Sequence, residues 1–492
     1  MRIFLSALVA LALPLASAHA QAPQPAASPG ETLLDRIEKI LARAPAGNRF
    51  GFLVADMDGA PLLAIAPDQR FMPGSNTKMF TTAAAYARLA ELDAAARGTG
   101  VRLEPGRRGR SNVVLVGRGD ARLSSAADCV TNCLSVLADA IAAKTRKVRD
   151  VIGDDGWFPD ERWSPGMSWN NIPTRSGTGI SALTLDDNEL AASVKPAAPG
   201  EAPAIESPGY YTIDNRAQTV PGSEVHLDHW RDPGSFTVRV MGTIGADAPA
   251  QTLRFGIDDP AHYAAWRLRA LLQARGVRVK GGVAVRHRPL LPQDDPAKRS
   301  ASLPALPPED GLVAELRPQP LAEDIAIINK RSQNLHAELL LRGLGRLGGS
   351  GSIADGQAIL QGIMAQAGVP GAGVDLSDGS GMSTYNRITP RAAVTLLGWI
   401  ARQPWGAAWR ESLPIGGQDG TLRRRFAGTA LQGRIFAKTG SLNATNALSG
   451  YLMAASGRTL IVSIIANDTP DSQTDEALAA MDAALLAVAA AY

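Results

Sequence analysis

Apolar and polar positions alternate with different periods along this chain, and the changes of period mark its elements. Leu33, Leu34, Ile37, Ile40 and Leu41 recur at helical spacing and predict an amphipathic helix. Phe50 to Asp56 and Pro61 to Ala66 flank a turn containing Asp58-Gly59, the pattern of a β-hairpin. Pro73-Gly74-Ser75 then opens a run of good helix formers from Met79 to Leu89. Near the other end, Ala447 to Ala455 and Thr459 to Ala466 are apolar runs split by Ser456-Gly457-Arg458, a second hairpin. A last helix is expected over Thr474 to Ala490. Asp475, Glu476 and Asp482 interrupt its apolar surface, so it should pack on a sheet rather than enter a membrane. Both ends of the chain thus carry pieces that can build one sheet.

The stretch between them differs. Short strand-like runs occur at Asn112 to Val116, Phe236 to Val240 and Val277 to Val285, and a Pro-rich segment, Pro289 to Pro308, reads as a linker at the exit. The expected organisation is one discontinuous domain, residues 30–99 and 308–492, interrupted at residues 100–307 by an insertion of two small domains.

Ahead of the first helix, Arg2 is followed by an uncharged apolar stretch from Ile3 to Leu15 and by Ala18-His19-Ala20. This is the pattern of a secretory signal peptide, residues 1–20, cut after Ala20. Its apolar core is too short for a lasting membrane anchor, and no cysteine near the cut could carry a lipid. An exported protein without stable membrane insertion is expected, with Gln21 to Gly30 as a flexible lead-in. The net charge of +3 argues against a dedicated nucleic-acid binder. Cys129 and Cys133 either pair after export or remain two buried thiols. They do not suggest a metal site, since a four-ligand zinc would need two more ligands and none of the six histidines lies nearby in sequence.

Candidate chemistry begins at Ser75-Asn76-Thr77-Lys78, where a hydroxyl and an amine three residues apart share one helix face. A serine hydroxyl is a poor nucleophile until a neighbour takes its proton, and lysine can do so only when burial or other cations lower its pKa. Lys78 is the one lysine of the chain with a serine three positions before it. Ser332-Gln333-Asn334 precedes an apolar helical run from Leu335 to Leu341 and, alone, would pass for a helix cap. Lys438-Thr439-Gly440-Ser441 follows the strand-like Arg434 to Ala437. By itself it is a turn at a strand end; on an edge strand it could receive a substrate peptide, with Gly440 allowing close backbone approach and Lys438 and Thr439 meeting a terminal carboxylate.

In this order the three elements resemble the Ser-x-x-Lys, Ser-x-Asn and Lys-Thr-Gly set of penicillin-recognising serine enzymes, a group that includes penicillin-binding proteins and class A β-lactamases. More than 250 residues separate Lys78 from Ser332. That gap is similar to the class C low-molecular-mass penicillin-binding proteins, D-alanyl-D-alanine carboxypeptidases and endopeptidases of the penicillin-binding protein 4 type. Gly117-Arg118-Gly119-Asp120, Asp378 to Ser383 and Leu413 to Leu422 also look like that family, although Gln333 stands where Asp is frequent and Ala121 where Pro is usual.

The resemblance implies an α/β (α+β) fold with a central antiparallel sheet, flanking helices and a large, mainly β, inserted region. It implies Ser75, Lys78, Ser332, Asn334 and Lys438 as catalytic residues, and Thr439, Gly440 and Ser441 as substrate-binding ones. Asp154, after Val151-Ile152-Gly153, best matches an aspartate that follows a strand of the family's insertion and holds the peptide stem; a plain turn is the alternative reading for it and for Asp155. Implied partners are peptidoglycan peptides and inhibitory β-lactams in the periplasm, with no metal or organic cofactor; a homodimer is left open. Trp157, Trp163 and Trp169 would line a groove or belong to a core, and Arg425 would meet an anionic group or solvent. A β-lactamase and a non-enzymatic binding protein are the rival readings; the long insertion speaks against the first and the intact motifs against the second.

Overall fold

The computed structural model describes residues 31–300, 302–303 and 311–492, so the signal peptide, the lead-in and part of the Pro-rich exit lie outside the described residues. Helix α1, Leu33–Leu41, begins where Thr32 and Asp35 cap each other reciprocally, and Ile37, Ile40 and Leu41 form its buried stripe. The first hairpin is β1, Arg49–Ala55, and β2, Pro61–Ile65. Helix α2, Thr77–Ala87, is buried over almost its whole length. After the insertion come α3, Leu321–Arg331, α4, Asn334–Arg346, α5, Ile353–Gln366, and α6, Pro390–Ala401. The chain closes with β3, Ile435–Leu442, β4, Thr445–Met453, β5, Thr459–Asn467, and helix α7, Thr474–Ala491.

The strands make one five-stranded sheet in the order β3-β4-β5-β1-β2, antiparallel throughout, with Arg49 opposite Asn467 and Lys438 opposite Ser449. Alternate side chains leave the sheet on opposite faces, so two apolar layers form. On one face Phe52, Val54, Leu448 and Val462 meet α1 and α7; on the other Leu53, Ile461 and Ile465 meet α2, α4, α5 and α6. Each such side chain withdrawn from water is worth about 1.5–3 kcal/mol. Among the described residues no helix is long and apolar enough to cross a membrane.

The insertion combines its strands with helices. Strands Ser111–Val116 and Val283–Arg288 run parallel to the long central strand Lys147–Pro159, with helices Leu134–Lys144 and Pro260–Ala274 packed on them. Outlying strands, antiparallel around Glu189–Lys195 and mixed around Thr237–Gly245, share one buried apolar cluster with this sheet. The boundary also moves: Leu312–Glu315, expected in the catalytic domain, returns to pair with Gly100–Pro105. Before it, the Pro-rich exit is anchored by Asp294, which is wholly buried and pairs with Arg288 at 2.8 Å.

Cys129 and Cys133 are joined by a disulfide. A loop this short limits the bond's contribution to roughly 2 kcal/mol. The double variant Cys129→Ser/Cys133→Ser should therefore unfold a few degrees lower in a thermal melt while reacting with substrate at an unchanged rate.

Candidate active site

Pro73 and Gly74 turn the chain out of the sheet region, and Ser75 sits in a single 3-10 turn, Gly74–Asn76, that runs into α2. The turn lies against β3. A Cβ on Gly440 would stand 2.3 Å from the Pro73 carbonyl oxygen, so only glycine lets the strand come this close. β3 is the sheet's edge strand. Its first part is covered, since Phe436 bridges to Ile415 and the Ala437 N–H donates to the Pro414 carbonyl. Among the described residues, the outer edge around Lys438–Ser441 carries no strand partner.

Lys78, one helical turn beyond Ser75, is wholly buried with Nζ 2.8 Å from Ser75 Oγ. The same Nζ donates to Asn334 Oδ1 at 2.6 Å and to the Ser380 carbonyl at 2.6 Å. Those two acceptors use both hydrogens of a neutral amine, which leaves its lone pair for the Ser75 hydroxyl proton. Burial pushes Lys78 down to about 7, against the opposing pull of Asp378 and Glu338. Lys438 is itself driven well below the usual lysine range by burial and then by Lys78.

Ser332 ends α3 in the left-handed region, φ 59° and ψ 40°, so that its hydroxyl accepts from Lys438 Nζ at 2.9 Å. A non-glycine residue held there costs of order 1–3 kcal/mol. Lys438 Nζ also donates to the Thr439 carbonyl at 2.9 Å, and Thr439 Oγ1 lies 2.7 Å from Thr421 Oγ1. The three motifs thus converge on Ser75, with Thr439, Gly440 and Ser441 along the neighbouring strand edge.

Asp154 does not join them. It lies inside the long strand Lys147–Pro159 rather than after one, paired with Val116 on one side and with Arg286 on the other, where the ladder continues to Pro159. Its carboxylate pairs with Arg102 at 3.4 Å and Arg286 at 3.8 Å and accepts from the Gly156 N–H, none of which belongs to the Ser75 cluster. Asp155 is equally internal, bound to His287 and Ser181. Arg425 pairs with Asp482 of α7, Trp157 lies beneath the guanidiniums of Arg118 and Arg346, and Trp169 is exposed with its ring against Trp230. Trp163 comes nearest the site, in a small cavity shared with Asn334, Ser380 and Met382.

Several contributors carry no sequence role of their own. Glu338, one turn after Asn334 on α4, accepts from the Gly379 and Ser380 N–H groups and so sets the carbonyl that holds Lys78. Asp378 accepts from Gly381 and Ser383 and from Asn386 Nδ2. The insertion reaches in as well, since Asn334 Nδ2 donates to the Ser176 carbonyl at 2.9 Å.

An antiparallel sheet with helices on both faces, a serine turn against its edge strand and a buried amine beside the serine define a penicillin-recognising serine peptidase. The chain belongs to the D-Ala-D-Ala carboxypeptidase 3 (S13) family, whose pattern it matches over residues 33–488. It is 33% identical over 436 residues to a D-alanyl-D-alanine carboxypeptidase of Actinomadura sp. (strain R39), covering 85% of this chain and 77% of that one. Its fold is that of penicillin binding protein 4 from Haemophilus influenzae, with a TM-score of 0.74 and 20% identity over 91% of this chain and 97% of that one. The same Haemophilus influenzae protein in complex with a β-lactam superposes with a TM-score of 0.67 and 20% identity over 88% and 93% of the two chains.

Proposed function

We propose that Ser75 is the nucleophile through which this serine-type D-Ala-D-Ala carboxypeptidase acts on peptidoglycan stem peptides. The observation that carries the reading is the 2.8 Å approach of the Lys78 amine to Ser75 Oγ at a lysine that burial holds near neutrality. Lys78 takes the Ser75 proton as Oγ attacks the carbonyl of the penultimate D-Ala. The backbone N–H groups of Ser75 and Ser441 receive the developing oxyanion. Ser332, hydrogen-bonded to Lys438, passes a proton to the leaving amine, so the C–N bond breaks and an acyl-enzyme remains. Lys438 and Thr439 face the terminal carboxylate, and water then releases the acyl group. Cutting a cross-link uses the same chemistry on a longer leaving group, and an endopeptidase activity falls within this reading.

β-Lactams are strained amides that enter the same path but keep their leaving group tethered. The solved β-lactam complex of the Haemophilus influenzae relative supports this part of the reading. Export to the periplasm through residues 1–20 places the enzyme with its polymer. Incubation with benzylpenicillin followed by intact mass spectrometry and peptide mapping should give one long-lived adduct, on Ser75. Rapid loss of the drug without lasting adduct would instead mark a β-lactamase, and untouched drug with unmodified protein a non-catalytic role.

A further inference from the structure

Asp186, Asp187 and Asn188 of the insertion have φ of 52°, 55° and 52°, three consecutive non-glycine residues in the left-handed region. Single residues visit this region at a cost, and a run of three persists only where the surroundings over-determine it. The flanking two are pinned. Asp186 accepts from Ser124 Oγ and from the N–H and Oγ of Ser125, while Asn188 donates to the Gly179 carbonyl and accepts from the Leu185 N–H. The middle residue is thereby presented outward, and Asp187 Oδ1 meets His336 Nε2 at 3.0 Å.

His336 is 4% exposed and sits two residues past Asn334 on the first turn of α4. Its other nitrogen stands 3.6 Å from Asp324 of α3, whose carboxylate is in turn paired with Arg122 of the insertion at 2.5 Å. Burial would depress this imidazole, but the two carboxylates outweigh it and hold it at about 9, so the clamp is an ion pair near neutral pH. The ring therefore ties together α3, which ends at Ser332, α4, which starts at Asn334, and the insertion.

Apolar packing fixes α4 against the insertion only in part, through Leu335 and Leu339 on Ala121, Phe158 and Ala182. His336, Leu339, Leu340, Gly343 and Arg346 line a cavity of about 280 Å³ between α4 and the insertion. Where side chains face a cavity, the interlocking that locates a helix is weaker, and polar contacts carry more of its position.

We propose that Asp187 is a positioning residue for acylation: the strained turn of the insertion delivers its carboxylate to His336 and so keeps Ser332 and Asn334 in register with Ser75 and Lys78. The inference rests on the reading of Ser75 as nucleophile. It makes the insertion part of the catalytic apparatus, although Asp187 touches neither substrate nor nucleophile.

The test uses Asp187→Gly, which removes the carboxylate and also relieves the left-handed backbone, and Asp187→Asn, which keeps a hydrogen-bond acceptor and tolerates that conformation. Acylation by benzylpenicillin is followed by rapid quench and mass spectrometry, alongside thermal unfolding. Asp187→Gly should melt no lower than the wild type yet show a maximal acylation rate about tenfold smaller, with the half-saturating drug concentration within about twofold. Asp187→Asn should recover most of the rate. Wild-type acylation with an equally fast Asp187→Gly variant overturns this inference alone, as does a rate loss matched by a lower melting temperature in both variants. Wild-type protein that takes up no drug on Ser75 overturns the functional reading and this inference with it.

Discussion

Ser75→Ala should take up no benzylpenicillin and release no D-Ala, with a fall in turnover of roughly 10⁴-fold or more. The side chain lost is one oxygen at a half-buried position, and the 3-10 turn that carries it is held by backbone contacts rather than by the hydroxyl. The fold should therefore survive, and the circular dichroism spectrum and melting temperature should match the wild type. Lys78 would keep its bonds to Asn334 and Ser380, so the rest of the site stays assembled around a missing nucleophile. Peptide release persisting in purified Ser75→Ala protein would show that the reaction runs through another residue.

Lys78→Gln should retain Ser75 but slow acylation by about 10²–10⁴-fold, the usual worth of a positioned base. The wild-type pH profile follows from the same group. Lys78 acts as the neutral amine and titrates at about 7, so the acylation rate should rise roughly tenfold per pH unit below that value and level off above it. In Lys78→Gln the limb near pH 7 should vanish. Lys78→Arg separates charge from basicity: it keeps a cation in place that never becomes a base, and it should be as slow as the glutamine variant. Rates of penicillin uptake measured from pH 5 to 9 on the three proteins decide the matter, and a wild-type profile flat across this range would remove Lys78 as the base.

Much of the site was legible because its chemistry is local. The Ser75 to Lys78 spacing is one turn of helix, and the Lys438 segment lies on an edge strand as its neighbouring pattern suggested. The rest is held by groups without a sequence signature. The Ser176 and Ser380 carbonyls are backbone atoms that any residue type could supply, and only the fold brings them to Asn334 and Lys78. Glu338 could have been found, since it stands four residues after Asn334 on a run already read as helical. Asp154 was read as following a strand because Gly153-Asp154 has turn composition, whereas the strand runs on to Pro159 with Val116 and Arg286 paired opposite Asp154. Likewise, the boundary at Leu312–Glu315 depends on a partner more than 200 residues earlier in the chain, Gly100–Pro105.

The sheet that pairs Arg49 with Asn467 also governs how the protein must be made. β1 and β2 leave the ribosome well ahead of the strand that covers β1, Thr459–Asn467, which follows only after the whole insertion. Until then β1 offers an unpaired apolar edge, the kind of surface that recruits other chains. Closing a sheet across such a separation is slow, and partly made chains of this length are prone to aggregate. The insertion, whose strands and helices pair among themselves, can fold while the edge waits. The serine turn and its edge strand, Ile435–Leu442, can meet only after the insertion between them has been made, so the polypeptide gains its reactivity no earlier than that.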